Sequence, residues 1–373
     1  MRKILSFILV GCLLACGSNE ASPVIEEQDF GYNMNYHTLQ NTFKMYSVVT
    51  EIEDGAILLI PSYENEAYSG YVGMSYLDKN DHLEIIDDDA SSNCSFTDLK
   101  SCSSTIESER FLDFFTYYGN YIYYLDVISD KSNNVDYDVL MRMNLDGGNR
   151  KEIFRFEPIP TAGEVILFIA FHQNYMYFVN NLSGVQRMSL ETNEVDEEFK
   201  YFENYKVNSM FFHGDNLYVG INDYKENDDL YAEATVKVDL KTNETTFMFD
   251  EIPYYMNDDI AFVGKLGEEA IYFRNLKSGD EIKLFDSYAT HFFEAEGYYV
   301  VDTGLTSREE HTVYLIDENG TILDTIVEVD DNQAVGQGVI NDKYYVYDTL
   351  TMKYHYYGIN DGKFLERVDL KYE

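Results

Sequence analysis

Leu140-Met141-Arg142-Met143-Asn144-Leu145-Asp146-Gly147-Gly148-Asn149-Arg150-Lys151-Glu152-Ile153 decides how the rest of the chain is read. Two arms of alternating character flank Asp146-Gly147-Gly148-Asn149, residues that tolerate the positive φ a tight hairpin needs. Degenerate copies of this hairpin recur. Val185 to Leu190 turns at Glu191-Thr192-Asn193-Glu194, and Val236 to Leu240 turns at Lys241-Thr242-Asn243-Glu244. Val313 to Ile316 turns at Asp317-Glu318-Asn319-Gly320, and Tyr354 to Tyr357 turns near Asn360-Asp361-Gly362. Met74 to Ile85 is an earlier copy. Glu281 to Phe285, followed by Asp286-Ser287, is the weakest.

A short aromatic strand precedes each hairpin: Tyr121 to Asp126, Tyr175 to Asn180, Asn216 to Gly220, Ala270 to Asn275, Gly297 to Asp302 and Lys343 to Asp348. Ala56 to Ile60 is a less aromatic first member. Strands and hairpins interleave at a mean pitch of about 45 residues, in the range of β-propeller blades. The expected fold is therefore all-β, a β-propeller of seven blades, with six as the alternative. The strands at Ala270 and Gly297 begin only 27 residues apart (270 to 297), so that unit is expected to lack its outer strand. Merging the two units gives the six-bladed count. Ring closure is favoured because isolated small sheets expose unpaired edges, which radial packing hides. Thr42 to Thr50 is expected to add a strand that completes the last blade.

The N-terminus is read as an address rather than as fold. Arg2 and Lys3 precede an apolar run from Ile4 to Leu14, too short to span a bilayer. Leu13-Leu14-Ala15-Cys16 resembles the lipobox of bacterial lipoproteins, which are cut before the cysteine and lipidated on its sulfur. Residues 1–15 are thus expected to be a lipoprotein signal peptide, with 16–36 the lipidated Cys16 and a flexible polar linker. The propeller is expected over 37–373. Each buried acyl methylene contributes about 0.8 kcal/mol, so two chains hold a protein at a membrane without a spanning helix. The expected location is extracytoplasmic, anchored to the cell membrane.

The chain carries a formal charge of −40, and loss of Arg2 and Lys3 with the leader leaves −42. Such a surface repels phosphate backbones, which excludes nucleic acid as a partner. It suits either simple solubility or a cationic partner. Cys12 lies in the leader and Cys16 is the lipid site, leaving Cys94 and Cys102. Outside the cytoplasm this pair is expected to close a disulfide, with two free thiols the alternative.

Chemistry is scarcer. No Gly-x-Ser-x-Gly elbow, phosphate loop or His-Glu-x-x-His is present. Gly336-Gln337-Gly338 lacks the third glycine of a dinucleotide loop and reads as a turn between blades. His172 and His213 precede aromatic strands at matching places, which marks them as parts of the repeat. Asp87-Asp88-Asp89, Glu226 to Asp229, Asp258-Asp259 and Asp330-Asp331-Asn332 offer hard oxygen ligands to calcium, without the spacing of a preformed site. No catalytic, cofactor-binding or metal residues are assigned, and no cofactor beyond calcium is weighed.

Tyr123-Tyr124-Leu125-Asp126, Tyr177-Phe178-Val179-Asn180, Tyr272-Phe273-Arg274-Asn275, Tyr299-Val300-Val301-Asp302 and Tyr345-Val346-Tyr347-Asp348 resemble degenerate Tyr-Trp-Thr-Asp repeats. Followed by hairpins such as Arg142 to Gly147, they are similar to the low-density-lipoprotein-receptor-like β-propeller domain of bacterial surface lipoproteins. The chain departs from that pattern in having no tryptophan, in Tyr218-Val219-Gly220-Ile221, and in its seven units where receptor propellers have six blades. The resemblance implies a propeller from about Ala56 onward and brings no assigned activity. The expected function is a membrane-anchored module that binds a protein or glycan. A carbohydrate hydrolase or lyase on the same scaffold, and a structural part of an envelope assembly, are the alternatives.

Overall fold

The computed structural model describes residues 49–52, 55–63, 70–87, 94–96, 99–108, 115–130, 132, 135–156, 168–179, 183–223, 233–265, 268–286, 291–303, 311–328, 334–348, 351 and 353–372. These residues form a seven-bladed β-propeller with no α-helix among them, only a 3₁₀ turn at Leu99–Ser101. The leader, Cys16, the linker and residues 42–48 lie outside the described residues.

Each blade is a four-stranded antiparallel meander, which alternating strands with short turns produce when one connection follows another. Blade 1 is β1 (Val49–Ile52), β2 (Gly55–Tyr63), β3 (Gly70–Asp78) and β4 (His82–Ile85), with β5 (Ile106–Ser108) also paired to β3. Blade 2 is β6 (Phe115–Tyr118), β7 (Tyr121–Asp130), β8 (Val135–Asn144) and β9 (Lys151–Arg155). Blade 3 is β10 (Phe168–His172), β11 (Tyr175–Val179), β12 (Ser183–Ser189) and the first part of β13 (Val195–His213). The rest of β13 opens blade 4, followed by β14 (Asn216–Asp223), β15 (Glu233–Asp239) and β16 (Thr245–Phe249). Blade 5 is β17 (Pro253–Met256), β18 (Ile260–Gly264), β19 (Ile271–Asn275) and β20 (Glu281–Phe285). Blade 6 is β21 (His291–Ala295), β22 (Tyr298–Asp302), β23 (His311–Asp317) and β24 (Ile322–Glu328). Blade 7 is β25 (Ala334–Ile340), β26 (Lys343–Asp348), β27 (Lys353–Asn360) and β28 (Lys363–Asp369), after which comes β29 (Lys371–Tyr372).

The long strand β13 passes from the outside of blade 3 to the inside of blade 4, and it bends at Phe202, whose φ is +61°. Gly184 faces the bend at φ +72°, where a Cβ would meet the Tyr201 carbonyl oxygen at 2.8 Å. Only glycine fits there.

Apolar side chains fill the seams between blades. Seven hydrophobic clusters, one per seam, link blades 1–2, 2–3, 3–4, 4–5, 5–6, 6–7 and 7–1 in turn. The last of these joins Leu58, Ile60, Leu77 and Leu83 to Tyr345, Tyr347, Tyr354 and Leu370, which closes the ring. The Tyr354 hydroxyl donates to the Leu59 carbonyl at 2.6 Å, and the Tyr372 hydroxyl accepts from the Tyr354 amide at 2.6 Å.

Three expectations about the repeat are corrected. The unit at Ala270 lacks nothing. Ala270 precedes the third strand of blade 5, while Gly297 precedes the second strand of blade 6. The true second strand of blade 5 is Ile260–Gly264, which has no tyrosine, and it begins 38 residues before Tyr298 (260 to 298). Its hairpin turns at Leu276 to Asp280, with Glu281–Phe285 as the second arm. Of Thr42 to Thr50, only Val49 and Thr50 are among the described residues, and they pair with β2 inside blade 1 rather than with the last blade. The ring is fastened from the other terminus, where β29 adds in parallel to β4 on the outer edge of blade 1. Gly336-Gln337-Gly338 is not a turn but a bulged part of β25.

Cys94 and Cys102 stand at disulfide distance, with Sγ–Sγ 1.99 Å. Ser103, next to this pair, docks on the Leu140 to Ile153 hairpin: the Arg150 guanidinium donates to the Ser103 carbonyl, and the Ser103 amide donates to Asp87 at 3.0 Å.

Removing Leu370 to Tyr372 takes away a buried leucine and the parallel edge strand, and is expected to cost about 2–5 kcal/mol by urea unfolding. Unaltered stability would mean that β29 does not fasten the ring. Reduction of Cys94–Cys102 is expected to expose two labelled thiols and to cost up to about 2.5 kcal/mol, the loop-entropy value for so short a closure.

Candidate functional site

Strand order puts all first-to-second and third-to-fourth turns at one end of the ring. At this end blades 3, 4, 5 and 7 reach over to the blade that follows each in the ring. Gln173 donates to Asp215 at 3.2 Å, Asn216 to Asp258 at 3.0 Å, and Tyr255 to Glu294 at 2.8 Å. Asn257 donates to the Tyr299 hydroxyl at 3.2 Å, and Tyr356 to Asp81 at 2.8 Å across the closing seam. Lys343 also pairs with Asp81. Burial pushes Tyr299 and Tyr356 up to about 12, so both phenols stay protonated; Tyr356 donates to Asp81, while the Tyr299 oxygen accepts from Asn257.

Asp258 is the most densely served of these carboxylates. It accepts from Asn216 and Tyr218, and His213 Nδ1 lies 3.0 Å away. Burial alone would raise its pKa, but the hydrogen bonds from Tyr218 and His213 outweigh that and hold it below the ordinary 3.8. The same end carries exposed Glu194, Glu244, Glu296, Glu318 and Asp361. Lys241 is paired with Asp215, and Lys277 with Asp259 at 2.6 Å. The result is a rim of negative potential on a rigid ring.

Two charged side chains are buried among the described residues: Asp302 and Arg142. Asp302 accepts from the Tyr344 hydroxyl at 2.5 Å and the Gly336 amide at 3.2 Å, both on blade 7. A Cβ at Gly336 would meet Asp302 Oδ2 and the Tyr344 oxygen at 2.4 Å, so the carboxylate and the glycine are matched. His291 is the cross-strand partner of Asp302, and Thr303 is buried beside it in sequence. This arrangement bolts blade 6 to blade 7. It presents one carboxylate, not the facing pair that glycoside hydrolysis uses.

The residues singled out in the sequence part company. His172 is buried and stacks on Phe212 at 4.9 Å, whereas His213 is half exposed and serves Asp258. Asp87 anchors the disulfide segment, with Asp88 and Asp89 outside the described residues. Glu226 to Asp229 and Asp330 to Asn332 also lie outside them. Asp258 and Asp259 are engaged in the seam and in an ion pair. Among the described residues no group of three or more His, Cys, Asp or Glu is placed to hold a metal ion. Arg142 and the role of Asp302 were missed. Asp302 stands at the acidic position of its repeat, which was a signal; Arg142 looked like one more alternating hairpin residue.

No known family model matches the chain, and no curated protein matches it in sequence. Solved structures do match in fold. The chain is similar to the β-propeller domain of the Trilobed protease from Pyrococcus furiosus, at 12% identity and TM-score 0.51, over 88% of this chain and 98% of that one. It is similar to Pyrococcus horikoshii acylaminoacyl peptidase at 12% identity and TM-score 0.50, over 89% of this chain and 53% of that one. BamB from Moraxella catarrhalis matches at 10% identity and TM-score 0.43, over 82% and 97%. At these identities the likeness is one of fold.

Because Asp258 is depressed in the folded state, its contribution is complete above the ordinary 3.8 and is lost as pH falls through the folded value. Asp258→Asn is expected to cost about 1 kcal/mol near neutrality, a figure reduced for its exposure, and progressively less as pH falls below 3.8. Parallel pH–stability curves for the two proteins would show that Asp258 stitches nothing.

Proposed function

We propose that this chain is an exported, lipid-anchored β-propeller that binds a protein or glycan without catalysis. The observation that carries the reading is the acidic rim on a closed ring, which holds a fixed pattern of carboxylates on a surface that cannot easily deform. Such a surface steers and selects ligands bearing positive charge or clustered hydroxyls. The signal-like N-terminus, Cys16 and the resemblance to propellers of bacterial surface lipoproteins support a location outside the cytoplasm at the cell membrane. Acidic loops also suit calcium as a bridging ion.

Two measurements test this. Cys16→Ser is expected to move the protein from the membrane fraction to the medium, and unchanged fractionation would refute lipid anchoring. The released protein is expected to bind members of a peptide and glycan panel, with affinity falling at high salt. Glu194→Lys, Glu244→Lys and Glu318→Lys together are expected to weaken that binding by about tenfold or more. Turnover of a polysaccharide by the same preparation would replace binding with catalysis.

A further inference from the structure

The outermost strand of each blade has one edge that its own blade cannot pair, and such an edge invites a foreign strand. Six of the seven are guarded. In blade 1, β29 lies along β4. In blades 2, 3, 5, 6 and 7 the outer strand carries at least two charged residues, such as Lys151 and Glu152 on β9 or Asp324 and Glu328 on β24. Charges on an edge deter added strands, because pairing would strip water from them. The outer strand of blade 4, β16, reads Thr245-Thr246-Phe247-Met248-Phe249 and has no charged residue. It also lacks proline and glycine, and its threonines and phenylalanines favour extended backbone.

That edge is open. Among the described residues no strand other than β15 pairs with β16. Phe247 is 59% exposed, more than any other large apolar side chain among them. The Asp239 amide donates to the Glu244 carbonyl where the hairpin closes. Bonded and non-bonded pairs alternate from there, and the next partners are Val238 with Thr245, Lys237 with Thr246 and Val236 with Phe247. Thr245 and Phe247 thus turn their amides and carbonyls away from β15, toward the open side. These are the groups that an added strand would pair with.

The chemistry of the occupant follows from what brackets the strand. Glu244 precedes it and Asp250 follows it, and both side chains are exposed. A second copy of the chain fits poorly. Antiparallel pairing centred on Phe247 would set Glu244 of each copy opposite Asp250 of the other, and like charges directly opposite destabilise a sheet. Each copy also carries a charge of −40.

We propose that the free edge of β16 is a docking site for an extended segment of a partner protein, apolar at its centre and basic at both ends. The segment extends the blade 4 sheet by one strand, as β29 extends blade 1. Its basic ends meet Glu244 and Asp250, and an apolar side chain covers Phe247. The edge lies on the outer wall of the ring and shares only Glu244 with the acidic rim, so rim binding and edge binding can fail separately.

The test is fluorescence anisotropy of the labelled peptide Lys-Val-Thr-Val-Thr-Val-Lys titrated with the purified full chain. The charge-reversed peptide Glu-Val-Thr-Val-Thr-Val-Glu is the control. Saturable binding of the basic-ended peptide is expected, with the acidic one weaker by about tenfold or more. Thr245→Pro removes an outward amide without removing a bond to β15, and Phe247→Lys sets a charge at the centre of the edge. Each is expected to abolish saturable binding. Phe247→Lys changes an exposed side chain, so it keeps the test decisive if Thr245→Pro fails to fold. Ile282→Lys, on the guarded outer strand of blade 5, is expected to leave binding intact. Asp250→Lys is expected to weaken the basic-ended peptide by about threefold or more with Glu244 still in place. Absence of saturable binding by the parent chain, equal binding of both peptides, or undiminished binding by Phe247→Lys would overturn the proposal. So would sedimentation of the peptide-free chain as a dimer that Phe247→Lys dissociates, since the occupant would then be a second copy.

Discussion

The structure depends on one seam, the contact of blade 7 with blade 1. Every other seam joins blades that follow each other in the chain, so the connection holds the partners close before they pack. The closing seam brings together residues nearly 300 positions apart, as Tyr354 and Leu59 are (|i−j| = 295), and its loop-closure entropy must be met by contacts made all at once. Buried tyrosines, the Asp81 cluster and the parallel addition of β29 supply those contacts. Without them a row of sheets would present two apolar faces and two open edges to water.

Tyrosine is the residue that lets this chain close with so few cations. With 67 acidic against 27 basic side chains, ion pairs cannot satisfy most carboxylates. Phenols do so instead, as Tyr218 with Asp258, Tyr255 with Glu294, Tyr344 with Asp302 and Tyr356 with Asp81 show. Each ring buries apolar area in its seam while its hydroxyl reaches the neighbouring blade. The same device recurs between successive blades at about 40 residues, the pitch of the repeat. Structure and charge are therefore coupled: the acids that bind the blades together also form the negative rim.

The two buried charges stand apart from that economy. Asp302 has its donors, and they come from the next blade, so its role is mechanical. Arg142 lies over the Tyr121 ring, while its counterpart Arg187 lies over Tyr175 and also pairs with Asp196.

The sequence by itself determined the all-β class and the hairpins, and favoured seven units over six. Alternation and turn chemistry act over a few residues, and a hairpin such as Leu140 to Ile153 is specified by its own backbone angles. It also marked Cys94 and Cys102 as a pair. Only the tertiary structure decided which aromatic strand is second and which third in blade 5, since Ile260–Gly264 and Ile271–Asn275 are equally fit to be central strands. It alone decided which terminus locks the ring, that Asp302 answers Tyr344, and that Arg142 lies buried over the Tyr121 ring. These are contacts across sheets and seams, where partners are chosen by packing in three dimensions and leave no local pattern along the chain.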